Sequence, residues 1–168
     1  SHSLTGENEV TPVDVVVLAT GYRITFPFLS QEILPTDSNQ VRLYMHQFIH
    51  TMAHPQTLAF IGLIQPIGAI IPIAEMQSRW FALLNTGERR LPSVTAMERD
   101  ICKREAERKR RYYDSPRHTV QVDWLPFMEE LATKVGVRPP IWRYLFTDPK
   151  LAWTLIFGSA APYQYRLV

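Results

Sequence analysis

Cysteine is almost absent: Cys102 stands alone among 168 residues, so no internal disulfide can form and no CxxC pair is available to hold zinc. That usage fits a reducing compartment or a cytosol-facing protein. Glycine is sparse at seven residues, and neither GxGxxG nor GxxxxGK[ST] occurs. Both common cradles for a phosphate at a helix start are therefore missing, and a nucleotide enzyme made of this chain alone is not expected. Long apolar runs are missing as well; none approaches the ~20 residues of a membrane-spanning helix. The amino terminus has no charged region followed by an apolar stretch and a cleavage site. An excess of one charge is also lacking. Eighteen Lys and Arg nearly balance sixteen Asp and Glu, and a formal charge of +2 creates no global field that calls for nucleic acid or an anionic membrane.

What the chain does have is a 46% hydrophobic content, enough to bury a sizeable core in a soluble globular fold. Val13 to Thr20 (VDVVVLAT) is a nearly continuous β-branched run that stops at Gly21, the pattern of a strand buried on both faces of a parallel sheet. Short extended segments are expected at Val41 to Tyr44 and Thr57 to Leu63, between residues that favour turns. A helix is expected from about Ile70 to Asn85, with Pro72 tolerated in its first turn and Gly87 just past its end. A second begins at Thr95, whose spacing to Glu98 is that of a capping box, and continues to about Tyr113. Others span Asp123 to Gly136, and Thr147-Asp148-Pro149 to Gly158. The first half thus reads as strand-rich and the second as helical.

Two segments carry chemistry. The run Asp14 to Leu18 ends in Ala19-Thr20-Gly21-Tyr22, and small residues at a strand end let a cofactor or another backbone approach closely. In open α/β sheets ligands lie at the carboxyl ends of strands; the alternative is a tight turn without a ligand. Gln65-Pro66-Ile67-Gly68-Ala69 lies between a strand and a helix, where backbone amides and the positive helix end can face an electron-rich ring edge. An ordinary strand-to-helix connection fits the same residues.

Other groupings read as structural. His46, His50 and His54 are four apart, but Pro55 and β-rich surroundings argue against a helix, so no metal site is expected. The basic run from Lys103 to Arg111 is interleaved with Asp100, Glu105 and Glu107, which makes a salt-bridged solvent face, with pairs such as Glu105–Lys109 and Glu107–Arg111. Contact with phosphate headgroups is the alternative. Trp80, Trp124, Trp142 and Trp153 read as core packing rather than a substrate cage. Cys102, with no histidine near it in sequence, is not read as a nucleophile.

The strand ending in A-T-G-Y resembles the segment of flavin-dependent monooxygenases where the chain leaves the NADPH domain and re-enters the FAD domain. Phe26-Pro27-Phe28-Leu29, Leu58 through Pro66 (LAFIGLIQP), Gly68-Ala69-Ile70, Arg117-His118-Thr119, Glu129-Glu130-Leu131-Ala132, Gly136-Val137-Arg138-Pro139, Thr147 through Ala152 (TDPKLA) and Pro162 through Arg166 (PYQYR) are all similar to the animal flavin-containing monooxygenases of the dimethylaniline, N-oxide-forming type. The likeness runs from about Val13 to the last residue. One departure is Gly158-Ser159-Ala160-Ala161, where the family usually has a Gly-Pro-Cys type sequence.

The resemblance implies an α/β fold, the carboxy-terminal part of a glutathione-reductase-like flavoprotein with two dinucleotide-binding domains and a helical carboxy-terminal portion. Residues 1–22 would be the last strand of the NADPH domain and the return crossing, 23–88 the second half of the FAD domain, and 89–168 the helical portion. The implied cofactors are FAD and NADPH. The implied reaction is oxygenation of soft N- or S-containing nucleophiles, or carbonyl compounds, through a C4a-hydroperoxyflavin, with molecular oxygen as co-substrate. Cofactor contacts fall on Thr20, Gly21, Gln65, Pro66, Ile67, Gly68 and Ala69; no catalytic acid or base and no metal ligand is assigned. The family's two glycine-rich motifs and its hydrophobic membrane-associated tail are not in this sequence. An inactive fragment of an enzyme on the cytosolic face of the endoplasmic reticulum membrane is therefore expected, with membrane association a property of the intact parent. The alternatives are a truncated, non-enzymatic interaction product and a flavin reductase without oxygenation.

Overall fold

The computed structural model describes residues 2–5, 10–21, 23–36, 40–111 and 120–166. The chain opens with two short strands, β1 (His2–Thr5) and β2 (Val10–Val13), paired antiparallel with His2 opposite Val13. β2 ends where the expected buried strand begins. Residues 15–20 have no regular structure, and Val15 and Leu18 are 76% and 81% exposed. A strand buried on both faces needs a neighbour along each edge and a layer on each face; among the described residues nothing occupies those places, so the β-branched run stays unpaired.

Residues 41–63 supply the turns that frame the core. Only isolated bridges form here, Tyr44 with Phe48 and Phe48 with Ala59, rather than the two extended segments expected. Met45 and His46 both have positive φ, at 54° and 53°. This reversal turns Tyr44 and Phe48 inward, and both rings pack edge-on against Trp80, with centroids 6.0 and 5.1 Å away. The histidines of this stretch lie on turns rather than a helix, as their surroundings imply.

Two residues, Gln65–Pro66, form β3, and α1 (Ile70–Asn85) follows with the bounds expected from the sequence. Pro72 sits in its first turn, where a missing N–H removes no helical bond. Gly87, at φ +80°, donates to the Leu84 carbonyl at 3.3 Å just beyond its end. α2 (Val94–Arg111) begins earlier than the capping-box reading places it. The hydroxyl of Ser93, not Thr95, accepts the Ala96 amide at 3.3 Å. Glu98 is turned away from the helix start toward Arg42 and His50. Competition from a cation and a neighbouring imidazole outweighs a local amide contact. Tyr113 and the Arg117-His118-Thr119 segment lie outside the described residues.

β4 (Gln121–Val122) returns alongside β3 in parallel, and α3 (Trp124–Val135) ends at Gly136 in the left-handed conformation. α4 (Ile141–Thr147) has no counterpart in the sequence reading. Asp148 separates it from α5 (Pro149–Phe157) and accepts the Leu151 amide at 3.0 Å, the N-cap that Thr-Asp-Pro announces. A 3₁₀ turn at Pro162–Arg166 carries buried Tyr165, whose hydroxyl donates to Glu129 at 2.7 Å.

One main core joins these parts: Tyr44, Met45 and Phe48 from the turns, Ile73, Met76, Trp80 and Leu84 from α1, Met97 and Ile101 from α2, Phe127 to Val135 from α3, and Tyr165. It spans both sides of residue 88, because the stripe of α1 is covered mainly by α3. A smaller cluster, Leu34, Leu43 and Ile49 with Phe26, Leu29 and Phe60 against it, packs beside it. The aromatic reading holds for Trp80, 2% exposed, and fails for Trp142 and Trp153, which are 70% and 66% exposed. The architecture is mixed α/β, with a small parallel sheet and a mostly helical carboxy-terminal region. No described helix is long and apolar enough to cross a membrane.

Candidate functional site

The Gln65–Ala69 loop is built by pairing on one side and by a helix on the other. Ile64 is buried and anchors the entry. The Gln65 amide donates to the Val120 carbonyl at 2.8 Å, and the Ile67 amide reaches the Val122 carbonyl at 3.4 Å. Gln65 therefore lies opposite Gln121, and Pro66 opposite Val122. The sequence reading places Gln65–Ala69 between a strand and a helix; the structure makes its first two residues a strand themselves, β3.

Gly68 has φ +141°, a region that residues with a Cβ rarely adopt. The side chain of Trp124 fills the space beside it: a Cβ on Gly68 would lie 3.2 to 3.3 Å from three Trp124 atoms. The indole N–H of Trp124 donates to the Ala69 carbonyl at 2.9 Å. Ala69 is the N-cap of α1 and offers no side-chain acceptor, and the first turn contains no acidic residue. Among the described residues, no acceptor receives the amides of Ala69, Ile70 and Ile71. α1 therefore keeps an open, partly positive end. Around it Gln65, Ile67, Ile70 and Ile71 are exposed. An apolar shelf beside free amides and a carboxamide suits a flat ring with an acceptor-rich edge. The absence of glycine-rich motifs from the sequence leaves no cradle for a nucleotide pyrophosphate in these residues.

Of the expected site residues, Gln65, Pro66, Ile67, Gly68 and Ala69 are held in this one loop. Thr20 and Gly21 lie on the extended segment after β2, and no described hydrogen bond joins them to the loop. Gly21 has φ +81° and open space where a Cβ would stand. Trp124 packs partly buried against the core, as the sequence reading has it, but its contact with this loop escaped that reading. Its role depends on parallel pairing between segments more than fifty residues apart, and no local pattern announces that.

A second polar cluster joins α2 to the turn region. Arg42 reaches Glu98 at 2.8 Å and Glu105 at 3.1 Å, while buried His50 pairs through Nε2 with Glu98. Partial burial of Glu98 works to raise its pKa, but Arg42 and His50 outweigh it and hold the carboxyl below its usual range. Exposed Cys102 lies 3.5 Å from Arg42 and 3.7 Å from Glu98. Arg104 packs nearby, with Nε 2.7 Å from Asp100 and Nη2 2.6 Å from both Glu130 oxygens. Burial opposes its charge, but these carboxylates prevail and raise its pKa. The salt-bridged character expected of α2 is thus present in Lys103–Glu107 and Arg104–Asp100. The expected partners Lys109 and Arg111 have side chains outside the described set. Burial, then the charges of Arg104 and Arg108, lowers the pKa of His46 to about 4 despite Asp100. No group of histidine, cysteine and carboxylate suited to a metal occurs among the described residues.

The profile of the FMO-like family, flavin-binding monooxygenase-like, matches residues 4–168. Flavin-containing monooxygenase 5 of Rattus norvegicus is 48% identical over 155 residues, covering 92% of this chain and 29% of that protein. The Homo sapiens flavin-containing monooxygenase 5 is 46% identical over the same shares. Dimethylaniline monooxygenase [N-oxide-forming] 2 of Rattus norvegicus is 44% identical, covering 93% and 29%. The chain therefore spans about 29% of the length of these relatives. S-allyl-L-cysteine S-oxygenase from Allium sativum shares the fold, with a TM-score of 0.60 and 24% identity over 89% of this chain and 33% of that one. Matched over nearly its whole length by the family profile and by relatives of this identity, the chain belongs to the flavin-binding monooxygenase-like family.

Proposed function

We propose that this chain is the flavin-facing carboxy-terminal part of an NADPH- and FAD-dependent monooxygenase of the N-oxide-forming type, and that Gln65 to Ala69 meet the pyrimidine side of the isoalloxazine. The observation that carries the reading is the open start of α1: the amides of Ala69, Ile70 and Ile71 are unclaimed beside exposed Gln65 and an apolar shelf. A helix start stabilises negative charge in a ring edge, and two or three amides hold it without reorganisation. FAD held here would supply oxygen-transfer chemistry toward a soft N- or S-nucleophile or a carbonyl compound, with NADPH as the reductant. This chain's task is to orient the ring and to limit the access of water to it.

In this reading residues 1–22 end the NADPH domain, 23–88 return to the FAD domain, and 89–168 form the helical portion. The glycine-rich phosphate sites come from segments outside these residues. Thr20 and Gly21 close on the cofactor only in their presence. The intact protein works at the cytosolic face of the endoplasmic reticulum membrane, and the isolated chain is inactive. Gln65→Ala in the intact flavoprotein tests the loop. Flavin is expected to bind several-fold more weakly, and a larger share of the NADPH oxidised is expected to appear as hydrogen peroxide. Unchanged flavin affinity together with unchanged coupling removes the role.

A further inference from the structure

We propose that Trp124 is a positioning residue for the flavin site, an inference that rests on the placement of the Gln65–Ala69 loop given above. Its indole N–H donates to the Ala69 carbonyl at 2.9 Å. A trans peptide is planar, and its C=O and N–H point in opposite directions. Fixing the Ala69 carbonyl therefore fixes the direction of the Ile70 amide, one of the three left open at the start of α1. The same side chain lies against Gly68, so close that a Cβ there would meet three of its atoms within 3.3 Å. The ring thus backs the loop on the side where Gly68 has no side chain of its own.

Trp124 is itself well placed to do this. It is the first residue of α3, two residues beyond Val122, which pairs with Pro66 in the parallel bridge. Residues 120–124 consequently grip the loop twice, through backbone pairing at Gln65 and Ile67 and through the indole at Gly68 and Ala69. The helical portion of the chain acts on the proposed site through this grip without contacting the ring. Local stabilisation of the N-cap alone does not require an indole, because a Ser, Thr or Asp at position 69 would do that. Such a side chain would also cover the amides that Ala69 leaves free.

The test uses the intact flavoprotein carrying Trp124→Phe, which keeps an aromatic ring beside Gly68 and removes the donor. Gln65→Ala serves as the reference variant. Loss of one hydrogen bond from the loop is expected to weaken FAD binding about fivefold. In flavin-saturated protein, the fraction of NADPH appearing as hydrogen peroxide is expected to rise at least about twofold, since the ring is less well held. The unfolding midpoint of the apoprotein is expected to stay at the wild-type value. Trp124→Met, which has no N–H or O–H donor, is expected to behave in the same way and replaces Trp124→Phe if that variant is insoluble. A normal FAD affinity and peroxide fraction in Trp124→Phe, with both altered in Gln65→Ala, overturns the role of Trp124 and leaves the loop reading intact. Normal values in both variants remove the loop reading and this inference together. A drop in FAD affinity that only follows a lower apoprotein midpoint, with the peroxide fraction unmoved, makes Trp124 a packing residue and also overturns the proposal.

Discussion

The side-chain oxygen of Gln77 accepts the backbone amide of Gly62 at 2.9 Å, fastening α1 to the chain three residues before the Gln65 loop begins. Gln77 is fully buried, and its Nε2 points toward the Met45 carbonyl at 3.5 Å, while Gln47 donates to the Gln77 carbonyl at 2.9 Å. Gln77→Leu removes the acceptor and leaves the Gly62 amide without a partner. A partly buried, unpaired donor costs about 1 kcal/mol. The urea midpoint of this chain is expected to fall accordingly, with an unchanged slope. A midpoint equal to wild type would show that water or a shifted backbone satisfies Gly62.

Arg104, on α2, joins that helix to Glu130 of α3. Its guanidinium serves Asp100 and both oxygens of Glu130 at once and also approaches the Met45 sulfur at 3.1 Å. Arg104→Met leaves two half-buried carboxylates without their shared cation and is expected to cost about 2 kcal/mol in urea unfolding. Arg104→Lys is expected to recover less than half of that, because an ammonium cannot span two carboxylates in a planar fork. Equal stability of the Lys and Arg forms would reduce the contact to a point charge.

How much of this was legible in the sequence depends on the range of the interaction involved. α1, α3 and α5 are marked by local chemistry: Pro72 in a first turn, Gly136 in the left-handed region and Asp148 before Pro149. The Gln65–Ala69 loop was legible as a motif whose five residues stay together. The capping box at Thr95 failed because Glu98 is claimed by Arg42, fifty-six residues away. The run from Val13 to Thr20 is different: it reads as a strand to be buried on both faces, and in this chain residues 15–20 have no regular structure. A β-branched run states a preference for being covered, but the cover must come from other strands, and none is found among the described residues. The short parallel pair β3–β4 has only two residues per strand, too few to leave a period, so neither it nor the role of Trp124 had a local signal.

His46 makes stability depend on pH in a defined window. Its ordinary pKa of 6.5 is lowered to about 4 in the folded chain, first by burial and then by Arg104 and Arg108. The unfolded chain therefore takes up this proton at a higher pH than the folded one. Stability from the neutral ring is fully present above pH 6.5 and is lost as the pH falls from 6.5 toward 4. The loss is on the order of 2 to 3 kcal/mol at the lower end. Glu98 adds a loss of the same sign, which begins as the pH falls through the ordinary carboxylate range and continues down to its depressed folded pKa. His46→Asn, which tolerates the positive φ, is expected to flatten urea midpoints between pH 6.5 and 5. A slope that survives the substitution would assign the proton to another group.

The isolated chain is expected not to retain FAD. The open amides at the start of α1 address one edge of a ring, and the sequence provides no glycine-rich amides for the pyrophosphate. Stoichiometric flavin absorbance after dialysis would contradict this directly.

Gly21 and Gly87 give the sharpest comparison, because in this chain they are nearly the same. Both have φ close to +80°, and neither has an atom within 4 Å of where a Cβ would stand. The strain of placing an ordinary residue at positive φ is about 1 kcal/mol, somewhat more for a β-branched side chain. In the isolated chain, Gly21→Val and Gly87→Ala are therefore both expected to be mild, and Gly21→Val is expected to cost little overall because the segment around it is exposed and unpaired. In the intact flavoprotein the two should separate. In the proposed reading Gly21 lies at the crossing between the nucleotide domains, where close backbone approach would leave no room for a branched side chain and overpacking would add about 1 to 3 kcal/mol. Gly87 ends α1 far from that crossing in sequence and carries only its capping preference. Urea midpoints of both variants in this chain, set beside flavin content per protein in the intact form, make the comparison. Flavin lost from Gly21→Val alone, with similar midpoints in the isolated chain, is the expected result. Equal flavin content in the two intact variants would make the Ala19-Thr20-Gly21 turn an ordinary connection with no cofactor beside it.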